Sequence, residues 1–208
     1  MSVEVVSERD PYIRGEGAEK RADDNTHTLL TLNACMFDND FPTKYGGLTP
    51  AAQRVDKLAQ FILQHSPDMY VGQEKSRRSG EMVSERLRAA YAHFWAGVTT
   101  NPGEKWDSGL FVASKYPIVS KPIFHPFEGD RQGFIERGFI AVETPKFWIV
   151  TTHGQSGSSA EIRRRQMAIL TTKMDQIAGD KPYVVAGDLN IERRGVAGDE
   201  YSQSGIPE

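Results

Sequence analysis

The 208-residue sequence contains one cysteine, Cys35. That excludes an internal disulfide and any cysteine-rich zinc centre. Its neighbours Ala34 and Met36 suit a buried thiol better than a reactive one. No apolar run approaches the length of a membrane span, and Met1-Ser2-Val3-Glu4 lacks the basic-then-apolar pattern of a secretory leader. The expected location is therefore the cytoplasm, unless a leader has been removed. Neither sign of charge dominates: 25 Lys and Arg stand against 28 Asp and Glu, a net charge of −3. Such a balance does not suggest an electrostatic nucleic-acid binder, although it leaves room for a locally basic groove. Internal repeats and low-complexity segments are absent too. What remains is ordinary for a globular chain, long enough for one large domain or two small ones.

Residues 1–26 read as a polar N-terminal arm, and 27–208 as a single folded domain. Thr28 to Cys35 is a Leu/Thr-rich run, predicted to be a buried strand ending near Asn33. Thr49-Pro50 predicts a helix start with Thr49 as N-cap, and Val55, Leu58, Ala59, Ile62 and Leu63 form its inward face. Ser66-Pro67 ends that helix. Asp68 to Glu74 is a second short strand, and Ser79 to about Tyr91 a second helix. Further on, Gly109–Ser114 and Ile118-Val119 predict one hairpin, and Gly138–Val142 with Phe147–Thr152 another. Ser158 and Glu161 make a capping box for a helix with Ile162, Ile169, Leu170, Met174 and Ile177 on one face. A last buried strand, 182–186, runs into Gly187-Asp188-Leu189-Asn190. Hairpins with interspersed helices imply an α+β sandwich, with sheets packed together and helices outside.

Four of these strands end in polar groups: Asn33, Gln73-Glu74, His153, and Asp188 with Asn190. Residues i and i+2 of a strand share a face, so Asp188 and Asn190 can enter one site. A carboxylate beside an amide oxygen suits a hard cation such as Mg²⁺. Each residue also has a plainer reading. Gly-Asp-x-Asn is good turn chemistry; Asn33 can open a loop; Glu74 can pair with Lys75, Arg77 or Arg78; His153 can be a core-edge histidine satisfied by backbone. Together the four ends favour a crevice with metal–phosphate chemistry.

The ordered set resembles the endonuclease/exonuclease/phosphatase superfamily. The resemblance rests on Leu30-Thr31-Leu32-Asn33, Pro67 to Glu74, Thr151-Thr152-His153-Gly154-Gln155 and Gly187-Asp188-Leu189-Asn190. Arg54, Ser108-Gly109, Ser114 to Ile118, Arg137-Gly138-Phe139, Arg163 and Gln166 fit between them, so the likeness spans about residues 28–191. It implies a four-layer α/β/β/α sandwich of the deoxyribonuclease I-like type and Mg²⁺-dependent hydrolysis of phosphate esters, with Mn²⁺ as a substitute metal. By carry-over Glu74 is the principal metal ligand, assisted by Asn33. His153 contacts a non-bridging phosphate oxygen, Asp188 orients or activates water, and Asn190 holds phosphate or water. Gln155 is a further substrate contact, while Arg163 reads as a surface or structural ion pair.

Trp106 to Leu110, Ala113 to Ile118 and Asp188 to Ile191 further resemble neutral sphingomyelinases and related phospholipases C. That implies a phospholipid such as sphingomyelin as substrate, with nucleic acid less favoured by the charge. Phe37, Phe41, Trp95 and Trp106 are candidate lipid contacts, with ordinary core or loop roles as the plainer reading. One part of the family pattern is missing. Its members carry a later Ser-Asp-His or close variant, whereas Ile191 to Glu208 contain no histidine. His27, His65, His93 and His125 all precede His153. The usual C-terminal strands are expected to be lacking, which makes a catalytically impaired phosphate-ester or lipid-binding module the alternative to an active enzyme.

Overall fold

The computed structural model describes residues 11–20, 26–36, 49–100, 107–132, 135–157 and 160–191. In chain order the first elements are β1 (Tyr12–Arg14), β2 (Leu29–Met36), α1 (Ala51–His65), β3 (Met69–Lys75) and α2 (Arg77–Leu87). Then come β4 (His93–Ala96), β5 (Phe111–Ser114), β6 (Ile123–Gln132) and β7 (Ile135–Glu143). The last described are β8 (Trp148–His153), α3 (Ala160–Ala178) and β9 (Tyr183–Asp188). Among the described residues the strands form two sheets, ordered β1-β4-β5-β3-β2 and β6-β7-β8-β9.

Strand alternation divides the apolar residues into three layers of core. Tyr70, Phe94, Phe111 and Ala113 of the first sheet pack under Val55, Ile62, Val83 and Leu87 of α1 and α2. Alternate residues of the same strands, Met69, Val71, Trp95 and Val112, meet Phe124, Ile140, Val142 and Ile149 of the second sheet. The outer face of that sheet, with Phe139, Ala141 and Val150, is covered by Met167, Leu170 and Met174 of α3. The result is the expected α/β/β/α sandwich. Both halves contain a parallel pair, β2 with β3 and β8 with β9. All four of these strands end at the same side of the sandwich.

Several local expectations are corrected. Tyr12–Arg14, inside the predicted arm, is an edge strand pairing with β4. Pro50, not Thr49, is the N-cap of α1 and makes no side-chain cap bond; the Thr49 carbonyl instead accepts from Arg54 Nε at 2.7 Å. Leu63 is 42% exposed, off the inward face. No hairpin joins 109–114 to 118–119: Ser114 Oγ closes a turn on Tyr116, and Val119 N–H donates to Glu143 O, so the chain crosses between sheets. β9 is half-buried rather than buried, and it is the last strand of its sheet among the described residues. Ser158, Phe37, Phe41 and Trp106 fall outside the described residues, as does the segment after Ile191 on which the expected lack of C-terminal strands bears. Trp95 takes its plainer reading, 6% exposed in the core between the sheets.

Candidate active site

The first sheet delivers its two residues through bent strand ends. Asn33 pairs in register with Gln73, and the β2–β3 ladder then slips before Met36 meets Lys75. Within this slip Cys35 and Glu74 adopt left-handed backbone, at φ 47° and 58°. Asn33 Oδ1 accepts the Cys35 N–H at 3.0 Å, and Arg54 donates to the carbonyls of Ala34 and Cys35 at 2.8 and 2.5 Å. The turn is therefore fastened from both sides. Regular alternation would carry Glu74 toward α1 and α2; the left-handed turn redirects it. The Cys35 thiol is half-buried, and burial together with the Glu74 charge raises its pKa. It is a weak nucleophile, as its flanks suggested.

The second sheet delivers its residues from regular strands. His153 and Asp188 are register partners on β8 and β9. Gly154 N–H donates to Asp188 O at 2.8 Å, and Asn190 Nδ2 donates back to Gly154 O at 3.0 Å. Asn190 N–H also holds Asp188 Oδ1 at 3.0 Å. Asn190 is left-handed at φ 53°, a conformation asparagine tolerates better than most residues.

The two halves meet at Asn33. Its Nδ2 donates to Glu74 Oε1 at 3.0 Å and to Asp188 Oδ2 at 2.9 Å, spanning 155 residues of sequence. His153 Nε2 lies 3.9 Å from Glu74 Oε1 and 3.7 Å from Asp188 Oδ2, too far for direct hydrogen bonds. Burial, then the positive charge of Arg137, lowers the His153 pKa to about 4, against the opposing pull of Asp188. The ring is thus neutral near pH 7. Its Nδ1 is buried with no hydrogen-bond partner among the described residues. The tautomer with its proton on Nε2 aims that N–H at the carboxylates, leaving only a lone pair in the unpartnered position.

Arg137, noted in the sequence only as part of a resemblance, lies against the site. It is 3% exposed and donates through Nη1 to His153 O at 3.3 Å. Burial lowers its pKa to about 10, with Glu74 and Asp188 resisting, so it keeps its charge. A charged residue directly before the apolar run Gly138 to Val142 was the available signal. Gln155 lies on the loop after β8, its N–H held by Gln166 Oε1 at 2.9 Å. Of the two expectations for Arg163, surface or structural, the structural one fits: it is 4% exposed and donates to the carbonyls of Gln155 and Gly157 at 2.9 and 2.6 Å. It positions the loop. Gln73 also has a structural task, donating across the sheets to Thr151 Oγ1 at 3.2 Å.

Among the described residues there is no cluster of three or more His, Cys, Asp or Glu fit to hold a metal ion. The pair Glu74 and Asp188 nonetheless fits Mg²⁺, which commonly takes one or two carboxylates and completes its shell with water and substrate phosphate. Both carboxylates reach solvent, with side chains 23% and 31% exposed. Asn33 turns its nitrogen toward them and its oxygen toward Cys35. In this orientation it holds the carboxylates; offering its oxygen to a cation requires an amide flip that gives up the Cys35 bond.

A four-layer sandwich with carboxylates, an amide and an imidazole converging at its strand ends defines a deoxyribonuclease I-like fold, the fold of a class of phosphoester hydrolases. Residues 30–199 match the model of the Endonuclease/Exonuclease/phosphatase family, and the chain belongs to that family. Among solved structures, SmcL is similar at 23% identity and a TM-score of 0.71, covering 86% of this chain and 68% of its own. A beta-toxin mutant from Staphylococcus aureus with bound magnesium ions is 21% identical, with TM-score 0.67 and coverage of 86% and 69%. TDP2 from D. rerio, complexed with a single-strand DNA product, is 16% identical, with TM-score 0.61 and coverage of 88% and 66%. No curated protein matches by sequence.

Proposed function

We propose that this protein is a Mg²⁺-dependent phosphodiesterase that hydrolyses a phospholipid such as sphingomyelin. The observation that carries the reading is the double hydrogen bond from Asn33 to Glu74 and Asp188, with the edge of His153 facing both carboxylates. Glu74 and Asp188 would hold the cation, which when bound offsets phosphate charge and polarises the P–O bond. Asp188, oriented by Asn190 N–H, takes the proton of the attacking water. The water oxygen bonds to phosphorus as the bond to the lipid oxygen breaks; that oxygen takes a proton from solvent, and a phosphomonoester and an alcohol leave. His153 donates its Nε2 proton in a hydrogen bond to a non-bridging oxygen, where negative charge builds up. Asn190 and Gln155 contact the phosphate group.

The lipid substrate is supported by the sphingomyelinase-like segments Trp106 to Leu110 and Ala113 to Ile118, the fold likeness to SmcL and beta toxin, and a net charge of −3. A nuclease is the second reading, supported by the likeness to TDP2 with its DNA product. Sphingomyelin vesicles, a plasmid and an inositol phosphate, assayed side by side with and without EDTA, separate the two. The expected result is phosphocholine release that needs Mg²⁺ and falls to the metal-free rate in Glu74→Ala. Hydrolysis indifferent to EDTA and to that substitution overturns the metal mechanism. Mg²⁺ binding without turnover of any substrate identifies an impaired binding module.

A further inference from the structure

Directly after Glu74 stands a lysine that the proposed chemistry does not use. Lys75 is 1% exposed, and its Nζ has no hydrogen-bond partner among the described residues. The amine lies over two rings, 4.8 Å from the Tyr70 centroid and 5.6 Å from that of Phe111. Both rings belong to the core beneath α1 and α2. Regular alternation along β3 puts Tyr70, Gly72 and Glu74 on that face, and Val71, Gln73 and Lys75 toward the second sheet. Tyr70, Val71 and Gln73 obey it. Lys75 does not. The left-handed turn at Glu74 exchanges the two places, sending the carboxylate to the site and the lysine under the helices.

The space for this exchange is provided by Gly72. A Cβ there would lie 2.1 Å from Lys75 Nζ, 3.0 Å from its Cε and 2.8 Å from Tyr70 Oη. The side chain therefore folds back along its own strand into the glycine's notch. Its four-carbon stem fills apolar core, as buried lysine stems do, and its backbone N–H is fastened to Gly109 O at 2.9 Å.

We propose that Lys75 is a positioning residue: its stem, lodged in the Gly72 notch, holds the left-handed turn that aims Glu74 at Asn33 and the cation. This rests on the reading of Glu74 as a metal ligand, but the brace itself can be measured without metal. The Asn33 side-chain amide protons, hydrogen-bonded to Glu74 and Asp188, report the position of Glu74 by NMR in the metal-free protein. Mg²⁺ affinity by calorimetry is the second readout. Lys75→Ala and Gly72→Ala are expected to shift the Asn33 amide signals and to weaken Mg²⁺ binding by about 10–100-fold, the range for residues supporting a metal ligand. Lys75→Met, which keeps the stem and loses the amine, is expected to retain wild-type signals and affinity.

Wild-type Asn33 signals in a folded Lys75→Ala or Gly72→Ala protein overturn the proposal, as does their loss in Lys75→Met. If Lys75→Ala does not fold, Gly72→Ala and Lys75→Met still decide. A wild-type protein that binds no Mg²⁺, while its Asn33 signals follow the variants as expected, sinks the metal reading and leaves the brace standing.

Discussion

The two sheets bring carboxylates to the same amide by opposite means. The first bends its strands: Cys35 and Glu74 take left-handed backbone, a conformation costing roughly 1–2 kcal/mol for an ordinary residue. The second brings regular strands close together, with His153 and Asp188 as simple register partners. Its closeness depends on glycine. A Cβ at Gly187 would meet Thr152 O at 2.1 Å, and one at Gly154 would meet Leu189 O at 2.4 Å. The Glu74 side is thus held by backbone conformation and its fastenings, and the Asp188 side by backbone contact. Asn33 joins them, so disturbing either sheet should be felt at the other's carboxylate.

The sharpest way to separate the two halves is to remove a group from one without altering the other's backbone. His153→Ala should lower kcat by about 10²–10³-fold, the usual loss for one preorganised donor. The same substitution should change acid stability. The folded protein keeps the ring neutral to about pH 4, whereas the unfolded ring takes a proton near its ordinary pKa of 6.5. The depressed pKa therefore costs nothing above pH 6.5, and stability is lost as pH falls from 6.5 toward 4. The full loss is on the order of 3 kcal/mol. Urea midpoints at pH 7 and pH 4.5 measure it; His153→Ala should flatten that difference, and an unchanged pH dependence would show that the ring is protonated in the native state.

A smaller disturbance tests the backbone contact itself. Gly187→Ala places a methyl against the carbonyl of Thr152, which is backbone and cannot swing aside. It should destabilise by about 1–3 kcal/mol, typical of an overpacked interior, and should loosen the Asn33–Asp188 hydrogen bond. Urea denaturation and the Asn33 amide signals check both. A substitution that lowers stability but leaves the Asn33 signals unmoved would mean that the two halves are less coupled than the hydrogen bond implies.

Much of the second sheet's contribution was legible in sequence, because His153 and Asp188 end regular strands; Asn190 lies past β9, placed by a left-handed turn rather than by strand parity. Gly138 to Val142 and Phe147 to Thr152 read as a hairpin, and His153 and Asp188 fell at strand ends. The first sheet was legible only in part. Asn33 and Glu74 could be picked out by residue type, but their direction depends on left-handed turns at Cys35 and Glu74, which no periodicity announces. Lys75 was weighed as a solvated partner of Glu74 because buried lysines are rare; its burial follows from the Gly72 notch, a three-dimensional fact. Arg137 and Arg163 were hidden for a related reason. A buried arginine is satisfied by carbonyls that the sequence does not place. The strands β4 and β6 were missed where His93, His125 and Pro126 interrupt the apolar pattern.

The smallest expected effect comes from the polar link between the sheets, just beneath the site. Gln73 Nε2 donates to Thr151 Oγ1 at 3.2 Å and more weakly toward Thr31 Oγ1 at 3.4 Å, while its Oε1 is buried without a partner among the described residues. Removing one side of such a link strands the other, which costs about 1–3 kcal/mol, whereas replacing both by apolar groups is often close to neutral. Gln73→Leu alone should therefore lower stability more than Gln73→Leu with Thr151→Val. Neither should move the Asn33 amide signals, because Gln73 is fixed by strand register within the core between the sheets, whereas Glu74 is aimed by its own left-handed turn. A double-mutant cycle by urea denaturation checks the first statement and NMR the second. If the Gln73→Leu protein instead loses the Asn33 signals, register between the sheets, rather than the turn at Glu74, sets the geometry of the site.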